Sequence, residues 1–291
     1  MKELLIQIYL FVCQVHHTAE ASCFQRLSNN QKPVFTDQEI VTIWVFAHLN
    51  DKFQKKQMHQ FIQDYWAEWF PALPSYQTFV HRLNQLEPTF QTLGAKLQSQ
   101  LTANLPSEID TVVDSLPIML ARQGHSYTAK VARDLAGIGY CAAKKTRFHG
   151  MRLHVLAKRR AGKLPVPHQV WLCSAAPHDV TVFKQLTLAT PHTTIIGDKA
   201  YADQELAQSL QAQGSHLLTP CKKPKNRELT AAEKVQSRLV STFRQPIESL
   251  FHWFIVKTDI QCASKVRSSD ALRLHCWGKL AVAFFLLSFN Y

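Results

Sequence analysis

The spacing of hydrophobic residues predicts a long amphipathic helix near the end of the chain, over residues 241–257. Arg244, Glu248 and His252 are four residues apart and share a second stripe of this helix. Pro246 lies between Arg244 and Glu248, and a proline either ends a helix or kinks it, so both alternatives stay open. Hydrophobic residues recur at helical spacing along the apolar face: Phe243, Ile247, Leu250, Phe251 and Phe254.

The first hundred residues also carry helical spacing, without a strong strand pattern. Thr36 and Glu39 form a capping box that begins an apolar helix. A second helix is predicted over 57–69, and Ser75 caps a third over 76–85. Short helices joined by a proline-bearing turn fit a helix-turn-helix and a plain helical bundle equally well. The residues of the third helix that are expected to face outward are Gln77, Thr78, His81 and Arg82.

Beyond residue 105 the pattern changes to that of strands. The glycines Gly124, Gly137 and Gly139 mark a basic loop after the first strand. Three strands that run antiparallel, followed by two strands separated by helices, give the order of the ribonuclease H-like fold. The strands are predicted over 109–118, 151–157, 166–174, 193–197 and 216–219.

The predicted fold class is therefore α/β (α+β), in two domains. A helical N-terminal domain over residues 1–105 precedes an RNase H-like core over 106–291. In that core, a mixed five-stranded sheet is flanked by helices.

The charge of the chain indicates a polyanionic partner. Lys and Arg number 33 against 21 Asp and Glu, a formal net charge of +12, which fits nucleic acid or an anionic membrane surface. The apolar runs at 4–15 and 280–289 are interpreted as buried helices, neither an export signal nor a membrane span, so nucleic acid is favoured over a membrane. The seven scattered cysteines form no CxxC or CxxH pair, which argues against a zinc site and favours a reducing cytoplasm.

Three acidic residues stand out by their position. Asp114 lies within the first predicted strand, Asp198 directly follows the strand at 193–197, and Glu248 lies on the amphipathic helix. Converging carboxylates repel one another unless cations lie between them, and Mg²⁺ and Mn²⁺ prefer such oxygen ligands. Two such ions about 3.5–4 Å apart can activate a water or a 3′-hydroxyl at a phosphodiester. Three further acids compete for the role, although a structural role is favoured for each: Asp110, Asp179 and Asp203.

Several short segments together resemble the DDE transposases of bacterial insertion sequences, and the insertion-sequence nine-eighty-two group in particular. The resemblance covers about residues 109–285, in the order of the family. The N-terminal LPSYQTFVHRLN also resembles the helix that precedes the catalytic core of these proteins. The matching segments are VDSLPI, RFHGMRLHVLA, APHDVTVF, IIGDKAYAD and ASKVRSSDALRLHCWGKLA, together with the spacing of Arg244 and Glu248.

The resemblance implies that Asp114, Asp198 and Glu248 are the catalytic residues and the ligands of Mg²⁺ or Mn²⁺, with two ions expected. Arg244 precedes the glutamate by four residues, as in the family, and Lys257 is the nearest candidate for a lysine that follows it. Ser241 stands where some relatives carry a tyrosine. The residues expected to contact DNA are Arg244, Lys257, Lys199, Lys265 and Arg267, with Thr78, His81 and Arg82 in the N-terminal domain.

The function implied by this resemblance is cleavage of DNA at the ends of an insertion sequence, followed by transfer of the 3′-hydroxyl ends into target DNA. Two ends must be joined, so a homodimer or a larger synaptic complex is expected, in the bacterial cytoplasm. Two alternatives remain: a catalytically inactive or repurposed DNA-binding protein, and a non-transposing nuclease of the same fold.

Overall fold

The computed structural model describes residues 1–18, 33–106, 110–185, 193–223 and 226–289. The chain divides into two compact units. One comprises Met1–Leu101, Phe254–Ile260 and Val266–Tyr291, and the other comprises Thr102–Trp253 and Gln261–Lys265. The predicted domains, 1–105 and 106–291, stay a prediction.

The N-terminal part of the chain is helical, as predicted. Its helices are α1 (Lys2–Thr18), α2 (Asp37–Leu49), α3 (Lys55–Tyr65), α4 (Tyr76–Asn84) and α5 (Glu87–Thr102). The capping box of Thr36 and Glu39 is confirmed, since each residue bonds the backbone N–H of the other. Ser75 caps α4 by accepting from the backbone N–H of Thr78 at 3.4 Å.

A mixed sheet forms the centre of the second unit and confirms the predicted fold class. Its strands are β1 (Thr111–Arg122), β2 (Gly137–Cys141), β3 (Thr146–Arg160), β4 (Lys163–Ser174), β5 (Thr194–Ile196) and β6 (His216–Leu218). The strand β3 runs antiparallel to β1 on one edge, and to both β2 and β4 on the other. The strands β1, β5 and β6 are parallel neighbours. The five predicted strands are present, and β2 is an addition where the sequence predicted a loop.

Among the residues that the structure describes, four α-helices follow or cover this sheet. They are α6 (His125–Thr128), α7 (Asp179–Lys184), α8 (Gln204–Ala212) and α9 (Ala231–Thr258). On one face, an apolar cluster joins the sheet to α7 and α8 through Val113, Phe183, Tyr201 and Leu206. The helix α9 contains Pro246, so the alternative that the helix ends there is wrong. The helix continues past the proline because Ile247 and Leu250, on its next turn, are buried.

The last helix, α10 (Ser269–Ser288), belongs to the first unit and packs closely against α2. The indole of Trp44 donates to the carbonyl of Gly278 at 3.0 Å, and a Cβ at Gly278 would lie 3.0 Å from the Trp44 ring. By length and composition α10 is apolar enough to cross a membrane, but 78% of its apolar window is buried within the fold. The prediction that the apolar runs at both ends of the chain form buried helices is confirmed for Leu5, Ile8, Val12 and Val15 of α1 and for Leu280–Leu286 of α10.

The pairing of β1 with β3 depends on a position that accepts no side chain. A Cβ on Gly150 would overlap the carbonyl oxygen of Ile118, next to the bulge in β1 between Met119 and Ala121. Backbone atoms of a central strand cannot move aside without breaking ladder hydrogen bonds.

We expect Gly150→Ala to lower the free energy of unfolding by about 1–3 kcal/mol or more, because the added methyl overpacks the sheet. Urea denaturation followed by circular dichroism measures this. Gly124→Ala is the matched control, since a Cβ there would meet no described atom within 4 Å. Equal unfolding midpoints for the two variants would contradict the expectation.

Candidate active site

Asp114 is a carboxylate held in the middle of a mostly buried strand. Its side chain is 19% exposed, and its neighbours Val112, Val113 and Leu116 are buried. One carboxylate oxygen accepts from the backbone N–H of Ser115 at 2.8 Å. The other accepts from Arg244 Nη1 at 2.7 Å. A carboxylate in such a position needs these partners because desolvation favours its neutral form.

The Arg244 side chain joins two of the three predicted catalytic acids. Its Nη1 binds Asp114, and its Nη2 binds Oε1 of Glu248, one turn later on α9. The Arg244 side chain is 19% exposed, whereas that of Glu248 is 57% exposed. A single guanidinium therefore lies between a half-buried carboxylate of the sheet and a more exposed carboxylate of the helix.

The apolar face of α9 holds this arrangement, as the hydrophobic spacing predicted. Ile247, Leu250, Phe251 and Phe254 are all buried. Phe243 was predicted on the same face but is exposed, and its ring lies under the guanidinium of Arg159, 4.7 Å from the centroid. The predicted face is thus confirmed for the four later residues and wrong for Phe243.

Asp198 comes close to Asp114 because of the register of two parallel strands. Val112 of β1 pairs with Ile196 of β5, and each aspartate lies two residues beyond its paired position. Parallel neighbours lie about 4.8 Å apart, so this register brings Asp198, just beyond the end of β5, near Asp114. Asp198 also caps the turn Lys199–Tyr201 by accepting from the backbone N–H of Ala200 at 2.8 Å.

The electrostatics of the site agree with this proximity. Burial raises the pKa of Asp114 to about 7, although Arg244 and the N–H of Ser115 lower it, and the negative charges of Asp198 and Asp179 add to the rise. Burial also raises the pKa of Tyr201 well above its ordinary value, with the charges of Asp179, Asp114 and Asp198 as further causes. The charges of Asp179, Asp114 and Asp198 therefore all act on the hydroxyl of Tyr201.

A second charged network lies on the opposite face of β1 and was missed from the sequence. The Ser115 hydroxyl donates to Asp179 at 3.0 Å, and Arg152 Nη1 donates to both Asp179 oxygens at 2.8 and 3.0 Å. Arg152 Nη2 donates to the carbonyl of Tyr140 at 2.9 Å. A signal was present, since Arg152 interrupts an apolar strand pattern and Ser115 directly follows Asp114.

The competing acids have structural partners, as the sequence interpretation favoured. Asp179 pairs with Arg152, and Asp110 pairs with Arg159 at 3.3 Å. Asp203 caps α8 by accepting from the backbone N–H of Leu206 at 2.9 Å.

A comparison with family models decides the family of the chain. The model described as a transposase DDE domain matches residues 106–285, more than half of the sequence. The chain belongs to the DDE transposase family. This confirms the resemblance seen in the short segments, and the narrower assignment to the nine-eighty-two group stays a prediction. A comparison with curated proteins found no match.

DDE transposases generally use divalent metal ions, and the donor set of this transposase suits them. Asp114, Asp198 and Glu248 would supply hard carboxylate oxygens, which Mg²⁺ and Mn²⁺ prefer. In the described parts of the chain, no cluster of three or more His, Cys, Asp or Glu residues is arranged to hold a metal ion. The positive charge between Asp114 and Glu248 comes from Arg244.

The basic residues predicted to contact DNA differ in their surroundings. Lys199, which directly follows Asp198, is exposed, and so is Lys265. Arg267 is also exposed and donates to the carbonyl of Val266 at 2.8 Å, while Lys257 is half-buried near the end of α9. Their contacts with DNA stay predictions.

The three predicted DNA-contact residues of α4 divide in the same way. Thr78 and His81 are exposed. Arg82 is mostly buried, because its guanidinium pairs with Asp37 at 2.8 Å and lies over the ring of Phe35. The expectation that Arg82 faces outward is therefore wrong, and its contact with DNA stays a prediction.

We expect Asp179→Asn to lower the free energy of unfolding by about 2–4 kcal/mol, because Arg152 loses the charge that compensates its burial. Chemical denaturation monitored by tryptophan fluorescence measures the change. Asp270→Asn removes an exposed ion pair with Arg273 and serves as the control, with an expected cost below about 1 kcal/mol. Equal costs would show that the Asp179 pair is no stronger than a surface pair.

Proposed function

We propose that this protein is a Mg²⁺-dependent insertion-sequence transposase. It would cut DNA at the ends of its own element and join the freed 3′-hydroxyls to target DNA. The observation that carries the proposal is the register of β1 and β5, which brings Asp198 near Asp114, within a chain of the DDE transposase family. Glu248 joins them through Arg244.

Asp114, Asp198 and Glu248 would hold the metal. When bound, it would activate a water or a 3′-hydroxyl and stabilise the leaving oxygen at the phosphodiester. In the first reaction, water adds to phosphorus and the bond to the 3′-oxygen breaks, which leaves a free 3′-hydroxyl. In the second reaction, that hydroxyl loses its proton and forms a bond to a target phosphorus, and the displaced 3′-oxygen takes up a proton and leaves as a 3′-hydroxyl of the target strand.

The protein's own cations would position the two acids and the DNA. Arg244 fixes Glu248 relative to Asp114, and a guanidinium of this kind also suits bidentate contact with a phosphate. Lys199 lies next to Asp198 and would neutralise a backbone phosphate there, and Lys265, Arg267 and Lys257 are further candidates. Thr78 and His81, exposed on α4, would take part in recognition of the element ends.

The expected partners are the terminal inverted repeats and target DNA, in the bacterial cytoplasm. A homodimer or a larger synaptic complex follows from the need to hold two ends together. The net charge of +12 supports a polyanionic partner.

We expect Asp198→Ala to abolish Mg²⁺-dependent cleavage of a labelled duplex that carries the inverted repeat flanking the gene. The loss should exceed the roughly 10–100-fold cost of removing a residue that only supports a metal ligand. Denaturing gels that resolve nicked and joined products measure both steps. Asp203→Asn is the control, because asparagine keeps the cap of α8 and the residue lies five positions further along the chain.

Each alternative function has its own outcome in this assay. Binding without metal-dependent cleavage by the wild-type protein would favour a DNA-binding protein that lacks catalysis. Nicking that depends on Asp198, without any joined product, would favour a non-transposing nuclease.

A further inference from the structure

Residues 122–147, here called the basic lobe, form a cationic stretch that the proposed mechanism leaves unused. The lobe includes the end of β1, α6, β2 and the start of β3. Asp134 is its one acidic residue, against six basic ones. The basic residues are all exposed: Arg122, Lys130, Arg133, Lys144, Lys145 and Arg147.

The backbone of the basic lobe is held against the sheet at several points. A Cβ on Gly139 would lie 2.6 Å from the carbonyl oxygen of Ala175, so β2 packs directly on that backbone. The His149 ring bonds the carbonyl of Val131 at 2.9 Å, and Arg152 donates to the carbonyl of Tyr140. In the turn before β3, Lys145 adopts a left-handed conformation with φ of 46°. The cations therefore project from a fixed framework.

An aromatic ring and a guanidinium lie side by side on the outer face of this lobe. Tyr140 of β2 is the direct partner of Arg147 on β3, and antiparallel partners place their side chains on the same face. Tyr140 is 50% exposed, and Ile138, two residues earlier, is exposed as well. Aromatic rings next to cations are the combination that single-stranded nucleic acid uses for stacking and phosphate contact.

The outer face of the lobe is also the face that carries Asp114. Val155 of β3 pairs with Asp114, and Arg147 lies an even number of residues before Val155 on the same strand. The bulge next to Gly150 is in β1, so it leaves the alternation along β3 unchanged. Arg147 lies eight residues before Val155, a span of about 26 Å along the strand, which is the length of about eight base pairs of duplex DNA.

We propose that the basic lobe binds the DNA that extends from the cleaved phosphodiester at Asp114. Its Arg and Lys side chains contact backbone phosphates, and Tyr140 stacks on a base that is unpaired next to the break. Arg147 lies beside Tyr140 and holds the adjacent phosphate. This inference rests on the proposed function and adds the surface that holds the flanking DNA.

Fluorescence anisotropy in EDTA tests the inference, since binding is then measured without cleavage. The protein is titrated with a labelled duplex of about 30 base pairs, roughly three helical turns, and with the matching single strand. Arg147→Gln should weaken binding about fivefold or more and reduce the slope of log K against log salt by about one. Tyr140→Ser should weaken single-strand binding by about fivefold or more and duplex binding by less. The control Lys163→Gln removes an exposed lysine at the start of β4, beside the opposite end of β3, and should leave binding unchanged.

Arg147→Lys keeps the charge and should restore the salt slope, which separates loss of a phosphate contact from misfolding. Wild-type affinity and salt slope in both Arg147→Gln and Tyr140→Ser would overturn the role of the lobe. If cleavage still depended on Asp198 in that case, the proposed function would stand. A wild-type protein that binds neither probe would overturn both proposals.

Discussion

The ion pair between Arg244 and Asp114 joins the sheet of this protein to its longest helix. A carboxylate in the middle of a buried strand loses most of its hydration, and a partner of opposite charge offsets that loss. Arg244 supplies the partner from α9 and binds Glu248 with its second nitrogen. The position of Glu248 therefore depends on how firmly the apolar face of α9 is buried. The geometry of the candidate site therefore depends on the packing of this helix.

A second network, on the opposite face of β1, also holds the strand at Asp114. Ser115 follows Asp114 and projects to the opposite face, where it bonds Asp179 within the Arg152 ion pair. Arg152 in turn holds the carbonyl of Tyr140 on β2. The strand segment at the site is thus tied on both faces, and the two networks meet at a single peptide unit. Such support fixes the direction of the Asp114 side chain better than packing on one face.

The features that were predicted correctly from the sequence depend on residues close together in the chain. The caps at Thr36 and Ser75 were found because a cap is defined by residues within one turn. The apolar face of α9 was found from its period, except at Phe243, where packing ends and the ring contacts Arg159 instead. The candidate acids Asp114 and Asp198 stood out because carboxylates are unusual next to buried strands.

The features that were missed depend on residues far apart in the chain. The strand β2 carries two glycines, which indicate a loop locally, yet they let it pack closely on residues 174–176. Arg82 was expected to face outward, but its guanidinium forms an ion pair with Asp37 of α2 and is mostly buried. The pairing of Arg152 with Asp179 joins a strand to a helix 27 residues later. The spacing of hydrophobic residues within one element gives no information about partners that are far apart in the chain.

At Lys145, the conformational energy of the backbone and the positive charge of the basic lobe favour different residues. A left-handed conformation costs a residue with a Cβ roughly 1–2 kcal/mol, whereas glycine adopts it freely. Glycine or asparagine would suit the backbone of this turn better than lysine does, and either would remove one positive charge. Selection for thermal stability alone would therefore erode the charge of this surface, whereas selection for affinity to a polyanion would keep the lysine and its conformational strain.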